Sequence, residues 1–88
     1  MSWKVEVLPS AEKKYRKLDR KTRSRIVEAL RELEQLENPF IHPDVRTLTG
    51  ELKGSWRMRV GDWRILFEPQ GESRTLRVYA ILPRGSAY

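Results

Sequence analysis

The stretch that decides the fold is Trp56-Arg57-Met58-Arg59-Val60-Gly61-Asp62-Trp63-Arg64-Ile65-Leu66-Phe67. Apolar and polar residues alternate on both sides of Gly61-Asp62, which is the period of a β-strand with one buried face. A Gly-Asp pair between two such runs predicts a two-residue hairpin loop, because Gly adopts a positive φ without steric cost. This loop sets the register, in which Arg59 lies opposite Arg64.

The two faces of this hairpin differ in chemistry. The residues that alternate with the arginines along the two strands are predicted to face the core. They are Trp56, Met58, Val60, Trp63, Ile65 and Phe67. The other side, called the arginine face below, presents Arg57, Arg59 and Arg64. Like charges directly opposite each other destabilise a sheet by roughly 0.2–1 kcal/mol, whereas planar, forked guanidinium groups suit a phosphate. We interpret the arginine face as a phosphate-binding surface, the alternative being a solvated face whose Arg stems cover apolar surface.

The segment before the hairpin predicts one strand and two helices. Alternation over residues 3–8 indicates a strand, and Ser10 is a suitable N-cap for a short amphipathic helix over 11–18. Asp19 is placed to cap a second helix that ends before Asn38-Pro39. The apolar stripe of that second helix comprises Ile26, Ala29, Leu30, Leu33 and Leu36.

The rest of the chain completes an α+β domain. Residues 39–54 have the composition of a loop, with a short extended piece near 45–48. Residues 75–82 predict a last strand, with Arg77 and Tyr79 on the arginine face and a buried set of Leu76, Val78, Ala80 and Leu82. The order is βααβββ, which predicts a mostly antiparallel four-stranded sheet with a helical hairpin packed on one face. We expect one domain over residues 1–88.

Composition excludes several classes of site. The chain has no Cys, which excludes disulfides, thiolate-held zinc and a Cys nucleophile. His42 is the only histidine, so a His-pair nuclease and a His-ligated metal site are excluded as well. The N-terminal residues alternate in charge without an apolar run, so no signal peptide or membrane span is expected. The resulting expectation is a cytoplasmic protein with no metal, no cofactor and no membrane partner.

The charge of the chain favours a polyanionic partner. It carries a formal net charge of +6 and has a pI near 10.1, which suits nucleic acid or an acidic protein. Much of this charge lies at the turn between the two helices, whereas residues 28–37 are mainly acidic. We predict an RNA-backbone contact, as opposed to a merely solvated surface, at Lys13, Lys14, Lys17, Arg20 and Lys21, with Lys53 added from the loop.

With residues 48–67 in view, the chain resembles the RelE-type toxins of the RelE/ParE toxin–antitoxin superfamily. The motif is Leu-Thr-Gly-Glu-Leu-Lys-Gly followed by the hairpin quoted above. A Trp-x-Val opening strand, a Pro-x-Ala-x-Lys helix start and the closing run Ile-Leu-Pro-Arg-Gly-Ser-Ala-Tyr at 81–88 agree with it. The resemblance covers essentially the whole chain and implies the RelE-like fold.

The resemblance also implies an activity. RelE-type toxins cleave mRNA in the ribosomal A site without a metal, using the ribose 2′-hydroxyl as nucleophile and leaving a 2′,3′-cyclic phosphate and a 5′-hydroxyl. By that resemblance Arg57 and Arg64 stabilise the phosphorane and Arg59 completes the paired basic positions of its strand. Arg84 supports the leaving 5′-oxygen, and Tyr88 stacks on the substrate. Because Arg stays protonated it is a poor base, so the general base is left unassigned.

Two other functions stay open from the sequence. The superfamily also contains ParE-like inhibitors of DNA gyrase, which share the fold but lack the nuclease constellation. A non-catalytic RNA-binding module is a further alternative. In each toxin case the resemblance implies silencing by a cognate antitoxin protein, and the nuclease additionally implies the ribosome and mRNA as partners.

Overall fold

The computed structural model describes residues 2–86, in which two helices pack on one face of a five-stranded sheet. The strands are β1 (Lys4–Val7), β2 (Val45–Thr47), β3 (Trp56–Val60), β4 (Trp63–Gln70) and β5 (Thr75–Pro83), and the helices are α1 (Pro9–Arg16) and α2 (Arg20–Gln35). Short 3-10 turns occupy Pro39–Ile41 and Gly50–Leu52. The spatial order is β1-β5-β4-β3-β2, with only the β1–β5 pair parallel. The predicted α+β class with a mostly antiparallel sheet is confirmed.

The predicted number of strands was too low by one. The extended piece near 45–48 is an edge strand, β2, whose three residues pair with β3. A three-residue strand next to Pro43 is too short to show a clear alternation, which is why the sequence indicated a loop there.

The first helix begins earlier than predicted. It starts at Pro9, a residue favoured in the first helical turn because its fixed φ suits the helix and its missing N–H needs no partner there. Ser10 is therefore inside the helix and does not cap it. Its hydroxyl donates instead to the carbonyl oxygen of Tyr79, at 3.0 Å.

The predicted cap of the second helix is confirmed. The Asp19 carboxylate accepts from the hydroxyl of Thr22 and, at 3.2 Å, from the Thr22 N–H. These hydrogen bonds, the one from the hydroxyl first, hold the pKa of the Asp19 carboxyl below its ordinary value.

The predicted hairpin register is confirmed, with Arg59 opposite Arg64. Gly61 has a φ of +58°, whereas Asp62 does not have a positive φ, which is the pattern of a type II′ turn. The predicted core face is buried against the helices through Met58, Val60, Ile65 and Phe67, and the two tryptophans of the set are partly buried. The helices contribute Ala11, Ile26, Ala29 and Leu33 to the same core.

A β-bulge in β5 changes which residues lie on the arginine face. Leu66 pairs with Ala80 and Phe67 pairs with Val78, so Tyr79 is the extra residue. Ala80 and the residue two beyond it, Leu82, therefore lie on the arginine face, and their predicted burial with Val78 was wrong. The parity of a strand cannot reveal a bulge, because the extra residue depends on the partner strand.

The turn at Gly61 provides a test of the register. Replacement of Gly61 by Ala should destabilise the fold by about 1–3 kcal/mol, because the positive φ is unfavourable for a residue with a Cβ. The new methyl group would also lie 2.9 Å from Arg25 Nη2. Gly71→Ala is the matched control, since Gly71 has no positive φ and a methyl group added there would have no heavy atom within 4 Å. Urea denaturation of both variants measures the difference, and equal stabilities would contradict the proposed role of the turn.

Candidate phosphate-binding site on the arginine face

Two pairs of arginines lie directly opposite each other on the arginine face. Arg59 pairs with Arg64 across β3 and β4, as predicted, and Arg46 pairs with Arg57 across β2 and β3. Arg46 was missed because its segment was interpreted as a loop. The only sequence signal was its position between Val45 and Thr47, which becomes informative once a strand is assigned there. The arginine face is therefore more basic than the hairpin alone indicated.

Backbone carbonyl oxygens hold three of these guanidinium groups. Arg64 Nη1 donates to the carbonyl oxygens of Gly61, at 3.0 Å, and Trp63, at 2.9 Å. Arg46 Nη1 donates in the same way to two carbonyl oxygens of its own loop and strand. Arg57 Nη1 lies 3.4 Å from the carbonyl oxygen of Asp44. A guanidinium has five N–H donors, and these bonds engage one terminal nitrogen of each group.

The fourth guanidinium is held by a carboxylate. Arg59 Nη2 lies 2.9 Å from Asp44 Oδ1, and the backbone N–H of Arg59 donates to the Asp44 carbonyl oxygen. The Arg59 side chain is 57% exposed, so this ion pair is screened by water and contributes little to stability. A phosphate that approaches Arg59 competes with the Asp44 carboxylate for the same donors.

His42 fixes the turn that presents Asp44. Its ring is buried, with 9% of the side chain exposed. The Asp44 N–H donates to His42 Nδ1 at 3.0 Å, so the proton of the neutral ring lies on Nε2, which is 3.2 Å from Glu32 Oε1. The histidine therefore has a structural environment that ties the loop to α2.

Arg84 is brought to the same end of the sheet as Arg64. Its backbone N–H donates to the Asp62 carbonyl oxygen at 2.7 Å, and its guanidinium Nη1 lies 3.7 Å from Asp62 Oδ1. Both side chains of this pair are largely exposed, so an anionic ligand can replace the carboxylate at little cost. Arg59, Arg64 and Arg84 thus lie at the hairpin end of the sheet and Arg57 lies two residues further along β3, whereas Tyr88 lies outside the described residues.

The basic end of the helical hairpin meets the tip of the β-hairpin. Lys14 Nζ lies 5.6 Å from the centroid of the Trp63 ring, and Arg25 of α2 reaches Gly61. The predicted helical contacts are all exposed: Lys13, Lys14, Lys17, Arg20 and Lys21. Lys53 is also exposed but follows the turn Gly50–Leu52, at the opposite end of β3 from the β-hairpin tip.

Within residues 2–86, no cluster of three or more His, Cys, Asp or Glu side chains has an arrangement that could hold a metal ion. None of the helices in this part of the chain has the length and apolar character needed to cross a membrane.

Several solved toxins share this fold. A chain of the RelBE2 toxin–antitoxin complex of Mycobacterium tuberculosis matches with a TM-score of 0.81 and 21% identity, over 96% of this chain and 100% of that chain. A chain of the RelE–RelB complex of the archaeon Pyrococcus horikoshii matches with a TM-score of 0.79 and 26% identity, over 99% and 100%. The YoeB/ParE toxin of Agrobacterium tumefaciens matches with a TM-score of 0.76 and 20% identity, over 92% and 98%.

A comparison with curated protein sequences finds no significant match. The family model described as the ParE toxin of the type II toxin–antitoxin system parDE matches residues 5–88. This match and the solved toxins confirm the resemblance that the β-hairpin motif indicated. The chain therefore belongs to the ParE toxin family of type II toxin–antitoxin systems, within the RelE/ParE superfamily.

Proposed function

We propose that this toxin is an endoribonuclease that cuts mRNA on the ribosome without a metal ion. The observation that carries the proposal is the direct opposition of Arg59 and Arg64, next to Arg57 and Arg84. Cations held this close are unfavourable for folding, and an anion placed between them removes the repulsion. The superfamily relationship supplies mRNA as the source of that anion.

The reaction needs little beyond positioning and charge. The 2′-oxygen attacks the adjacent phosphorus and loses its proton, the bond from phosphorus to the 5′-oxygen breaks, and the leaving oxygen gains a proton. Negative charge builds on the phosphorane during this exchange, and fixed cations stabilise it more than they stabilise the ground state. We assign Arg57 and Arg64 to the phosphorane and Arg84 to the 5′-oxygen, as the resemblance to RelE-type toxins implies. Arg59 and Tyr88 complete the proposed catalytic set.

Binding to the ribosome is assigned to a separate surface. The exposed cations of α1 and the start of α2 face solvent beside the β-hairpin tip. Phosphate contacts of this kind position a protein on RNA and make its affinity depend on salt. We assign ribosomal RNA contacts to Lys13, Lys14, Lys17, Arg20 and Lys21, with Lys53 as a further contact.

Inhibition of DNA gyrase is the second candidate function, because the matching family model is that of ParE toxins. A gyrase inhibitor acts by binding a protein, so it needs no transition-state stabilisation by the arginine face. The loss of a single arginine should therefore slow a chemical step in the nuclease, whereas the gyrase inhibitor has no such step to slow.

A cognate antitoxin is the proposed partner in the cell, where both proteins are expected in the cytoplasm. Two of the solved toxins above were crystallised in complexes that include an antitoxin. An antitoxin that silences a nuclease has to cover the arginine face or displace the segment that follows β5.

Substitution of single arginines tests the catalytic role. Arg64→Ala and Arg84→Ala should each slow cleavage about a hundredfold while changing ribosome affinity little, because their contribution is largest in the transition state. Single-turnover primer extension on saturating ribosomes measures this rate. Arg77→Ala is the matched control, since Arg77 lies on the same sheet face but pairs with Glu6 at 3.4 Å, away from the cluster.

The catalytic proposal fails if both variants cut at the wild-type rate once bound. A gyrase supercoiling assay with the same proteins separates the two candidate functions. Inhibition of supercoiling by the wild-type chain without any codon-phased cut would establish the second candidate.

The next prediction concerns association with RNA. The double variant Lys14→Ala/Lys17→Ala should bind ribosomes more weakly and with a smaller salt dependence, because phosphate contacts release counterions. Its cleavage rate at saturating ribosomes should stay near that of the wild type. Arg31→Ala, an exposed cation on the more acidic part of α2, is the control. An unchanged salt slope in the double variant would remove α1 from the RNA interface.

A further prediction concerns the antitoxin. Addition of the cognate antitoxin at an equimolar ratio should abolish cleavage, and hydrogen exchange should show protection on β3 and β4 or altered exchange at residues 84–86. A silenced complex in which both regions keep the exchange rates of the free toxin would refute this mode of inhibition.

A further inference from the structure

An apolar groove adjoins the arginines on the same face of the sheet. It has a volume of about 620 Å³, its floor and wall are formed by Leu66, Ala80, Leu82 and Tyr79, and the turn Gly50–Leu52 closes the other side. The groove exists because of the β-bulge, which turns Ala80 and Leu82 towards this face. An apolar recess beside a basic patch suits a ligand with an anionic part and a flat apolar part.

The register places two leucines of this groove one strand away from the backbone positions of two arginines. Leu66 pairs with Arg57, and Leu82 pairs with Arg64. Neighbouring strands are about 4.8 Å apart, so a nucleotide whose phosphate contacts these long arginine side chains is within reach of the two leucines. Glu51 at the rim of the groove repels a second phosphate, which leaves the recess to the base.

Hydrogen bonds hold both the side-chain hydroxyl and the backbone carbonyl group of Tyr79. Its hydroxyl hydrogen-bonds the hydroxyl of Ser55 at 3.0 Å, and Ser55 is only 4% exposed. At the other end, the Tyr79 carbonyl oxygen accepts from the Ser10 hydroxyl. A half-buried ring immobilised in this way loses little entropy when a base stacks on it.

We infer that this groove binds one unpaired nucleobase of the RNA, with Tyr79 as its stacking residue. The inference rests on the proposed function for the source of the RNA, but the groove can be tested without the ribosome. A base, unlike an apolar protein segment, brings a phosphate to Arg57 and Arg64 at the spacing the sheet provides. Stacking on a fixed aromatic ring is the usual way in which proteins hold single-stranded bases.

The test is an NMR titration of the full chain at low salt with two short single strands. Both carry 2′-deoxy sugars so that they cannot be cleaved, and one lacks its bases while keeping every phosphate. We expect the strand with bases to bind about tenfold more tightly than the strand without bases. Its binding should change the chemical shifts of Tyr79 and Leu66. Tyr79→Ala should abolish this difference, and Tyr79→Phe should retain it because the ring remains.

A second variant tests the groove in case Tyr79→Ala does not fold. Leu52→Ala removes one side of the groove from a short surface turn and should also reduce the difference between the two strands. Equal affinities of the wild type for both strands would overturn the inference, as would a difference that survives both Tyr79→Ala and Leu52→Ala. If the wild type prefers the strand with bases but cuts no mRNA on ribosomes, the base-binding groove is supported and only the proposed endonuclease activity is refuted.

A protein would be identified as the occupant by three results together. An antitoxin peptide binds in the groove of the wild type, this binding is lost in Tyr79→Ala, and neither single strand shifts the NMR signals of Tyr79. That result would overturn the inference. Arg64→Ala is the control for the phosphate contribution and should lower the affinity for both strands by the same factor.

Discussion

The type II′ turn at Gly61-Asp62 is the constraint on which the remaining arrangement depends. A two-residue loop leaves the strands no freedom of register, so Arg59 must lie opposite Arg64 and Met58 opposite Ile65. A shift of one residue would move the apolar set to solvent and the arginines into the core. The same hydrophobic pattern that stabilises the sheet therefore forces the cations together.

The positive charge of these cations is compensated only in part within the chain itself. Carbonyl oxygens of Gly61 and Trp63 accept from Arg64, and the Asp44 carboxylate pairs with Arg59. These partners lie in the turn or on an exposed loop, and the ion pair is accessible to water. In the free toxin these guanidinium groups are thus held by contacts from the turn and an exposed loop, for which the proposed phosphate would compete.

The sequence was most informative where the determinants of structure are local. The turn residues, the apolar alternation around them and the Asp19 cap depend on near neighbours in the chain, and these predictions were confirmed. Arg46 and the orientation of Leu82 depend on pairing between distant strands. A three-residue edge strand and a single extra residue in β5 leave no periodic signal, so neither feature could be predicted from one sequence.

Those two non-local features extend the surface that the hairpin began. The β2 strand adds a second arginine pair beside the first, and the bulge places an apolar groove one strand beyond it. Guanidinium groups thereby lie over β2, β3 and the start of β4, and Leu66, Leu82 and Tyr79 form an apolar patch beside them on β4 and β5. A ligand that fits both parts needs an anion and a planar apolar group within a few ångströms of each other. An unpaired nucleotide has this form, whereas a protein helix carries its charges on long flexible side chains. The shape and charge of the arginine face therefore support the proposed binding of an unpaired nucleotide, and the family relationship adds RNA as its proposed source.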